Sequence, residues 1–499
     1  MISYTALLHL LLPEVIVVLT SILVVAVDLL VLHRRSVKTR FTVASLLGAI
    51  GCAASIVVLV LMPAGLTSIG GGIFVANPLA QCIQIALLAL SIFTLLLAAD
   101  SDFTTHAGEF VLLVLLATVG MMFLVATQDL LVIFISLELL SLSLYILSAF
   151  DKRSARSSEA ALKYFLFGGM SAAFLLLGFS FFYGLGNSTN LFDIAAAITG
   201  PSPLLVVAMI ATIVGFGFKI AAVPFHFWAP DVYEGAPAPA AAFIASSSKV
   251  ASFVVFFEFV LSIDLSGSGS AAWLHFTYAW ASVFALAAAL SIVLGNLTAI
   301  RQTSLRRLIA YSAIAHSGYM LLPFAANGGH VLITGISSTT FDPRFSALLY
   351  YVITYALGTI GIFAIIGVVE KNTGSDHLSN FDGLSRRAPV LAVGLFIFLL
   401  SLVGIPPLSG FFAKFYLFLA TLNATPTLND LLWLVILAIA MSAVSLYYYL
   451  KVLKRVYVTA PAPEGEPIRA PFLTQLVIVV LAAAVVVLGC FPHLLLRWM

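Results

Sequence analysis

Residues 215–240 read GFGFKIAAVPFHFWAPDVYEGAPAPA and join two long apolar runs of the chain, residues 204–224 and 237–262. A helix that crosses a bilayer needs about 20 mainly apolar residues, so each run is long enough to span. The junction places Lys219 five residues before Pro224, and a proline interrupts the backbone hydrogen bonding of a helix. Irregular backbone at membrane depth is tolerated only where protein or a watery cavity satisfies it. The stretch therefore predicts a membrane protein with an interrupted helix beside a lysine.

The composition of the whole chain leads to the same class. Of 499 residues, 62% are apolar and 9% are charged, whereas about 25% of the residues of a soluble domain are charged. A soluble fold of this size lacks the polar residues to cover its surface, and disordered chains are poor in apolar residues. A formal charge of +2 argues against an electrostatic nucleic-acid binder.

The sequence gives no support to a metal or redox site. Cys52, Cys82 and Cys490 lie far apart in apolar stretches, without CxxC spacing or a paired framework. The chain has no HExxH motif and no histidine pair spaced for haem. We therefore expect no cofactor and no metal in this chain.

Continuous apolar runs, rather than alternating ones, favour helices over a β-barrel. The chain contains fourteen such runs, and we number the predicted helices in chain order. They cover residues 13–32, 41–62, 78–99, 109–126, 129–149, 159–184, 204–224, 237–262, 275–297, 304–324, 345–370, 388–420, 431–456 and 472–492.

Basic residues test this topology, because lysine and arginine gather in the cytoplasmic loops of membrane proteins. With the loop after predicted helix 1 in the cytoplasm, 17 of the 23 basic residues fall on that side and only Arg344 and Arg497 on the other. This segregation favours fourteen spans and places both termini away from the cytoplasm. The 17 residues are Arg34, Arg35, Lys38, Arg40, Lys152, Arg153, Arg156, Arg301, Arg306, Arg307, Lys371, Arg386, Arg387, Lys451, Lys454, Arg455 and Arg469.

The remaining basic residues are four lysines inside apolar runs: Lys163, Lys219, Lys249 and Lys414. A charge near the bilayer centre costs at least about 2.5–3.5 kcal/mol. Burial disfavours the charged form of lysine, which can then lose and regain a proton, whereas arginine stays charged. Four intramembrane lysines without an arginine therefore predict proton handling.

Glu138 is the most deeply placed carboxylate, nine residues after Asp129 in one apolar run. At 1.5 Å per residue it lies roughly 14 Å into a core about 30 Å thick. A structural hydrogen bond is the alternative role, although glutamine would serve it without a charge. Lys163 follows Glu159 by four residues, so an ion pair within one helix, or snorkelling to the surface, is an alternative explanation for this lysine.

Two of the nine histidines lie near these groups. His226 follows Pro224 in the interrupted region, and His316 lies in AYSAIAHSGYM within predicted helix 10. A lone histidine in a membrane is often a hydrogen-bonding core residue. Between lysines it is a natural proton relay, because its unperturbed pKa is about 6.5.

Predicted helix 12 contains a second interruption, GIPPLSGFFAKFY, in which Lys414 comes seven residues after Pro407. The order is lysine then break in helix 7 and break then lysine in helix 12, as an inverted repeat gives, although two ordinary proline kinks are an alternative. The prediction is an all-α polytopic membrane protein with two inverted five-helix repeats, helices 4–8 and 9–13. Its parts are N-terminal helices at 1–108, a first repeat at 109–262, a second at 263–456 and a C-terminal helix at 457–499.

These motifs resemble subunit N of the proton-translocating NADH–quinone oxidoreductases, respiratory complex I, over essentially the whole chain. The strongest part is KIAAVPFHFWAPDVYEGAPAPAAAFIASSSK, residues 219–249, and its DVYEGAPAP stretch favours subunit N over the sister pumping subunits. Supporting stretches are SLELLSLSLYIL, SSEAALKYFLFG, GNLTAIRQTSLRRLIAYSAIAHSGY, GIPPLSGFFAKFY and SLYYYLKV.

The resemblance implies that Glu138 and Lys163 form an ion pair that opens and closes and so shifts the proton affinity of Lys219. Protons would then pass through Lys249 and the region of His316 to Lys414. The resemblance also implies that quinone reduction elsewhere supplies the energy, and that quinone, FMN and iron–sulfur clusters belong to partner subunits. The partners would be neighbouring antiporter-like and small membrane subunits of a bacterial plasma membrane, with both termini periplasmic.

Two other functions stay open at this point. A subunit of a multisubunit sodium/proton antiporter would use the same buried lysines and interrupted helices. A passive membrane scaffold is the third reading, and four buried lysines at a cost of several kcal/mol argue against it.

Overall fold

The apolar runs of the sequence form helices throughout the computed structural model. The structure describes residues 8–497 except 64, 66, 199, 266–270, 327–341, 425–429 and 461–466, with only the backbone at 264, 265 and 271–275. The main helices are α1 (Leu12–Leu30), α2 (Val37–Leu61), α3 (Pro78–Ala98), α4 (Ala107–Leu124), α5 (Leu130–Ser148), α6 (Ala155–Gly186), α7 (Pro203–Lys219), α8 (Ala238–Ala245 and Ser247–Leu265), α9 (Ala271–Ile300), α10 (Leu305–Met320, continued by Leu322–Ala325), α11 (Pro343–Thr373), α12 (Pro389–Val403 and Ser409–Asn423), α13 (Leu432–Tyr457) and α14 (Phe472–Cys490).

The predicted all-helical membrane class is confirmed. Within the described ranges, 12 helices are long and apolar enough to cross a membrane. The other two predicted spans are shorter, 17 residues in α7 and 15 residues in the first part of α12. These are the two helices in which the sequence predicts an interruption. Met1 and Met499, whose side of the membrane the sequence predicts, lie outside the described residues.

One element departs from the all-helical prediction, a hairpin between α2 and α3. Strands β1 (Thr67–Ile69) and β2 (Phe74–Ala76) pair antiparallel. The residues between them include Gly70, Gly71 and Gly72, all at positive φ. Only glycine adopts this backbone conformation without steric cost, so three of them in a row reverse the chain.

Helix packing places α8, α10 and α11 in the interior. Nearly all residues in their apolar windows are buried. Around them, α4 packs on α5, α6 on α7, α9 on α10, and α11 on both parts of α12 and on α14. The polar side chains within these windows are therefore shielded by other helices.

Candidate functional site

The break after α7 directs a backbone carbonyl at a neighbouring helix. In a helix the carbonyl of residue i accepts from the N–H of residue i+4, and Pro224, four residues after Ile220, has no N–H. The Ile220 carbonyl instead accepts from Ser317 Oγ of α10 at 2.6 Å. Lys249 Nζ donates to the same hydroxyl at 2.8 Å and to the Ala313 carbonyl at 2.7 Å. The break in α7 is thereby joined to the buried lysine of α8.

The break in α12 has the same origin. Val403 lies four residues before Pro407, so its carbonyl also lacks a helical donor. It accepts from Lys414 Nζ at 2.7 Å and from Ser442 Oγ at 3.0 Å. Lys414 Nζ also donates to Ser442 Oγ at 2.7 Å. Each interruption therefore provides an acceptor for a buried lysine or for the hydroxyl that binds it.

His316 lies between Lys249 and Lys414, with a tyrosine on each side. Lys249 Nζ is 5.5 Å from the Tyr355 ring centroid, which is 5.1 Å from that of His316. On the other side, the centroids of His316 and Tyr319 are 5.7 Å apart, and Lys414 Nζ lies 4.9 Å from the Tyr319 ring. Two predicted lysines and one predicted histidine thus meet in one buried row.

Glu138 faces Lys219. Glu138 Oε1 lies 3.9 Å from Lys219 Nζ, which donates to Ser141 Oγ at 2.5 Å and to Tyr145 Oη at 3.5 Å. Within the part of the chain that the structure describes, the buried Glu138 Oε1 has no hydrogen-bond partner. Lys219 is therefore held mainly by hydroxyls, with a carboxylate nearby that has spare accepting capacity.

Lys163 has other ion-pair partners in this structure than Glu138, the partner that the resemblance implies. Its Nζ lies 2.6 Å from Asp231 Oδ2 and 2.6 Å from Glu159 Oε1. Among the described ion pairs, none joins Lys163 to Glu138, so the pair that the resemblance implies, which opens and closes, is not formed in this conformation and stays a prediction. The physical reason is that Lys163 is near the start of α6, where the carboxylates of Glu159 and Asp231 are both within reach. The ion pair with Glu159, four residues earlier in the same helix, is present as the alternative explanation requires.

Asp231 belongs to a charged cluster that sequence reasoning missed. It lies on the short helix Trp228–Gly235 that follows the break. Asp231 Oδ1 accepts from Arg307 Nη1 at 3.0 Å, and Glu234 Oε2 accepts from the same nitrogen at 2.8 Å. The DVYEG letters carry both acids three residues apart. Arg307 was predicted only as a topology marker, so its partners had no signal in the sequence.

His226 is buried after the break, and its ring stacks on Phe227 with centroids 4.4 Å apart. Its Nδ1 has no partner among the described residues. The structure brings it together with none of the four lysines within the described contacts, so its relay role stays a prediction.

A charged cleft of about 1010 Å³ opens on the side predicted to be cytoplasmic. Five of the 17 basic residues assigned to that side line it, together with acidic side chains such as Glu370 and Asp376. The cleft also reaches Pro237 and Ala238, where α8 begins. Water on this side therefore approaches the helix that carries Lys249.

Comparison with known proteins identifies the family of this chain. A family profile described as "NADH:quinone oxidoreductase/Mrp antiporter, TM" matches residues 127–443. A protein of Acidobacterium capsulatum named NADH-quinone oxidoreductase subunit N 2 is 49% identical over 508 residues, covering 100% of this chain and 99% of that protein. These matches place the chain among the antiporter-like membrane subunits.

Two solved structures resemble this chain over nearly its whole length. A chain of respiratory complex I from Thermus thermophilus, solved with bound aureothin, has a TM-score of 0.77 at 32% identity and covers 97% of this chain and 98% of that one. A chain of the Mrp complex from Dietzia sp. DQ12-45-1b has a TM-score of 0.79 at 19% identity, covering 97% and 95%, which shows a shared fold alone. The chain belongs to the subunit N family of the NADH–quinone oxidoreductases, a family of subunits of an enzyme complex.

Proposed function

We propose that this chain translocates protons as a membrane-arm subunit of an NADH–quinone oxidoreductase, and that quinone reduction in other subunits drives it. Neighbouring antiporter-like and small membrane subunits would be its partners, and quinone, FMN and iron–sulfur clusters would belong to partner subunits. The groups that would carry or control protons are Glu138, Lys163, Lys219, His226, Lys249, His316 and Lys414.

The observation that carries the proposal is the buried row Lys249–His316–Lys414. Among the described residues, the hydrogen-bond acceptors of both lysines are carbonyls and hydroxyls. A lysine that loses its proton leaves no unpaired carboxylate behind in such a setting, and its neutral amine can still donate to the same acceptors. A row of this kind therefore suits proton exchange better than static charge pairing.

Glu138 would control the start of the row. Its carboxylate lies 3.9 Å from Lys219 Nζ and favours the charged form of that lysine. Lys219 ends α7, and the next residue, Ile220, contacts the Ser317 hydroxyl that also binds Lys249. A change in the charge of Glu138 would therefore alter proton release towards Lys249.

Two backbone contacts support the proposed inverted repeats. Residues 128–130, at the start of α5, pair with residues 189–191, after α6, through hydrogen bonds of 2.8 and 2.9 Å. Residues 303–305, at the start of α10, pair with residues 376–378, after α11, through hydrogen bonds of 3.0 and 2.9 Å. The second helix of each five-helix unit is thus joined to the chain after the third in the same way, which fits repeats at 109–262 and 263–456.

The experiment that tests the function is Glu138→Gln in the assembled complex. Substitution removes the charge near Lys219 and keeps the shape, so we expect NADH-driven proton translocation in inverted membrane vesicles to fall while the subunits still purify together. Full NADH-driven translocation in this variant would contradict the proposal.

A second measurement distinguishes proton translocation driven by quinone reduction from sodium/proton antiport. The antiporter alternative is tested because the Mrp chain has the same fold as this chain. Proteoliposomes that hold the complex are exposed to a sodium gradient without NADH or quinone. We expect no sodium-dependent proton flux, and such a flux that disappears in Lys249→Met would favour the antiporter instead.

A further inference from the structure

Two acids bind Lys163, and they differ in strength. Glu159 and Asp231 both approach Nζ to 2.6 Å. The Glu159 side chain is 63% exposed and that of Asp231 is 28% exposed. Exposed ion pairs between residues i and i+4 of one helix contribute little. Asp231 is therefore the principal acceptor of this lysine.

The helix that carries Asp231 is fixed beside Lys163. Trp228, one turn before Asp231, stacks on Tyr164 with ring centroids 4.5 Å apart, and its Nε1 donates to the Phe218 carbonyl at 2.9 Å. Tyr164 is the neighbour of Lys163 in the chain. The aromatic contact and the Trp228 hydrogen bond hold Asp231 beside Lys163.

Asp231 also ties Lys163 to the second half of the molecule. Its other oxygen accepts from Arg307 at the start of α10. The preceding residue, Arg306, donates to the carbonyls of Glu234 and Ala236 at 3.3 and 2.6 Å and so holds the end of the Asp231 helix. One carboxylate thus bridges a lysine of α6 and an arginine of α10.

We infer that Asp231 is the alternate partner of Lys163 and holds it away from Glu138, a positioning role that rests on the proposed function. Tyr145 of α5 contacts Tyr164 with centroids 4.7 Å apart, which fixes the level of Lys163 relative to α5. Glu138 lies two helical turns, roughly 10 Å, from Tyr145. The exchange therefore requires the Lys163 and Glu138 side chains to extend towards each other along the helix axis.

The exchange has a direct consequence for Lys219. With Lys163 on Asp231, the negative charge of Glu138 acts on Lys219, as in this conformation. With Lys163 on Glu138, that charge is neutralised and Lys219 holds its proton less firmly. Because Asp231 also binds Arg307, motion of α10 beside His316 changes how well Asp231 competes for Lys163.

The test is Asp231→Asn in the assembled complex in inverted membrane vesicles. Loss of a charge-assisted hydrogen bond shifts the equilibrium of Lys163 between Asp231 and Glu138 by about tenfold. We expect the number of protons translocated per NADH oxidised to fall by about threefold as a result. Asp231→Glu restores a carboxylate, so it should recover most of the translocation. Translocation in Asp231→Asn equal to that of the parent complex overturns the inference.

Glu234→Gln is the matched control, because Glu234 lies on the same helix and binds the same Arg307 nitrogen but makes no described ion pair with Lys163. It should stay close to the parent, and an equal loss would assign the effect to Arg307 alone and overturn the inference. The double variant Asp231→Asn with Lys163→Gln should lose no more than Lys163→Gln. If Glu138→Gln pumps poorly while Asp231→Asn pumps normally, only this inference fails and the proposed function stands.

Discussion

The lysine of α8 and the lysine of α6 have opposite surroundings. Lys249 is fully enclosed and donates to a carbonyl and a hydroxyl of α10. Lys163 is 38% exposed and pairs with two carboxylates. A lysine held by neutral acceptors exchanges a proton without stranding an opposite charge, whereas a lysine between carboxylates stays charged and can only change partner. The central row suits proton carriage and the α6 cluster suits control of it.

Lys249→Arg is the substitution with the largest expected effect. Arginine retains the charge but does not release its proton, so we expect proton translocation to fall at least about tenfold. One acid–base group contributes about 100-fold or more to a proton-transfer step, so the loss can be larger. NADH-driven translocation in inverted vesicles measures it, and native gels check assembly. Lys163→Arg is the partner variant and should retain more activity, because a fixed charge suffices there. Equal losses would remove the distinction.

His316→Phe tests the middle of the row. Phenylalanine keeps an aromatic ring between Tyr355 and Tyr319 but carries no proton, so translocation should fall about tenfold. Tyr351→Phe serves as control, because it removes only the 2.8 Å hydrogen bond to His316 Nδ1. Normal pumping in His316→Phe would show that protons bypass this ring.

Ser317→Ala and Ser442→Ala compare the two interruptions. Ser317→Ala removes the described donor to the Ile220 carbonyl and leaves Lys249 with the Ala313 carbonyl as its remaining described acceptor. The cost is about 1–3 kcal/mol, so we expect about a fivefold loss of translocation. After Ser442→Ala the Val403 carbonyl still accepts from Lys414, so a loss of about twofold is expected. The reverse order would contradict the role assigned to the Ser317 hydroxyl.

The smallest effect is expected for Glu159→Gln. This acid is exposed, and an i,i+4 ion pair on a helix surface contributes about 0.3–0.5 kcal/mol, so translocation should change by less than about twofold. Proton translocation per NADH oxidised is the measurement. A loss as large as that of Asp231→Asn would make Glu159 an equal anchor of Lys163.

Local sequence signals were enough for much of the fold. Long apolar runs determine the helices, because in a bilayer each run must satisfy its backbone N–H and C=O groups with hydrogen bonds inside the same segment. The interruptions at Pro224 and Pro407 were predictable because proline removes a donor at a known position. The hairpin at Gly70–Gly72 was not, since strands of three residues leave no hydrophobic periodicity to read.

The candidate site, like the fold, can be predicted from the sequence only in part. That Lys219, Lys249 and Lys414 lie inside the membrane follows from their neighbours in sequence, and their chemistry follows from the residue type. Which groups they meet does not, because Lys249 contacts residues 64 and 68 positions away.

The amino-acid sequence is sufficient to predict a polytopic helical membrane protein with four lysines and one deep carboxylate in its apolar runs. The partners of these groups are visible only in the folded chain, in which Lys163 binds Asp231, 68 positions along the chain, and Glu138 faces Lys219. The physical reason is that apolar length acts locally, whereas the partner of a long flexible side chain depends on which helices pack together.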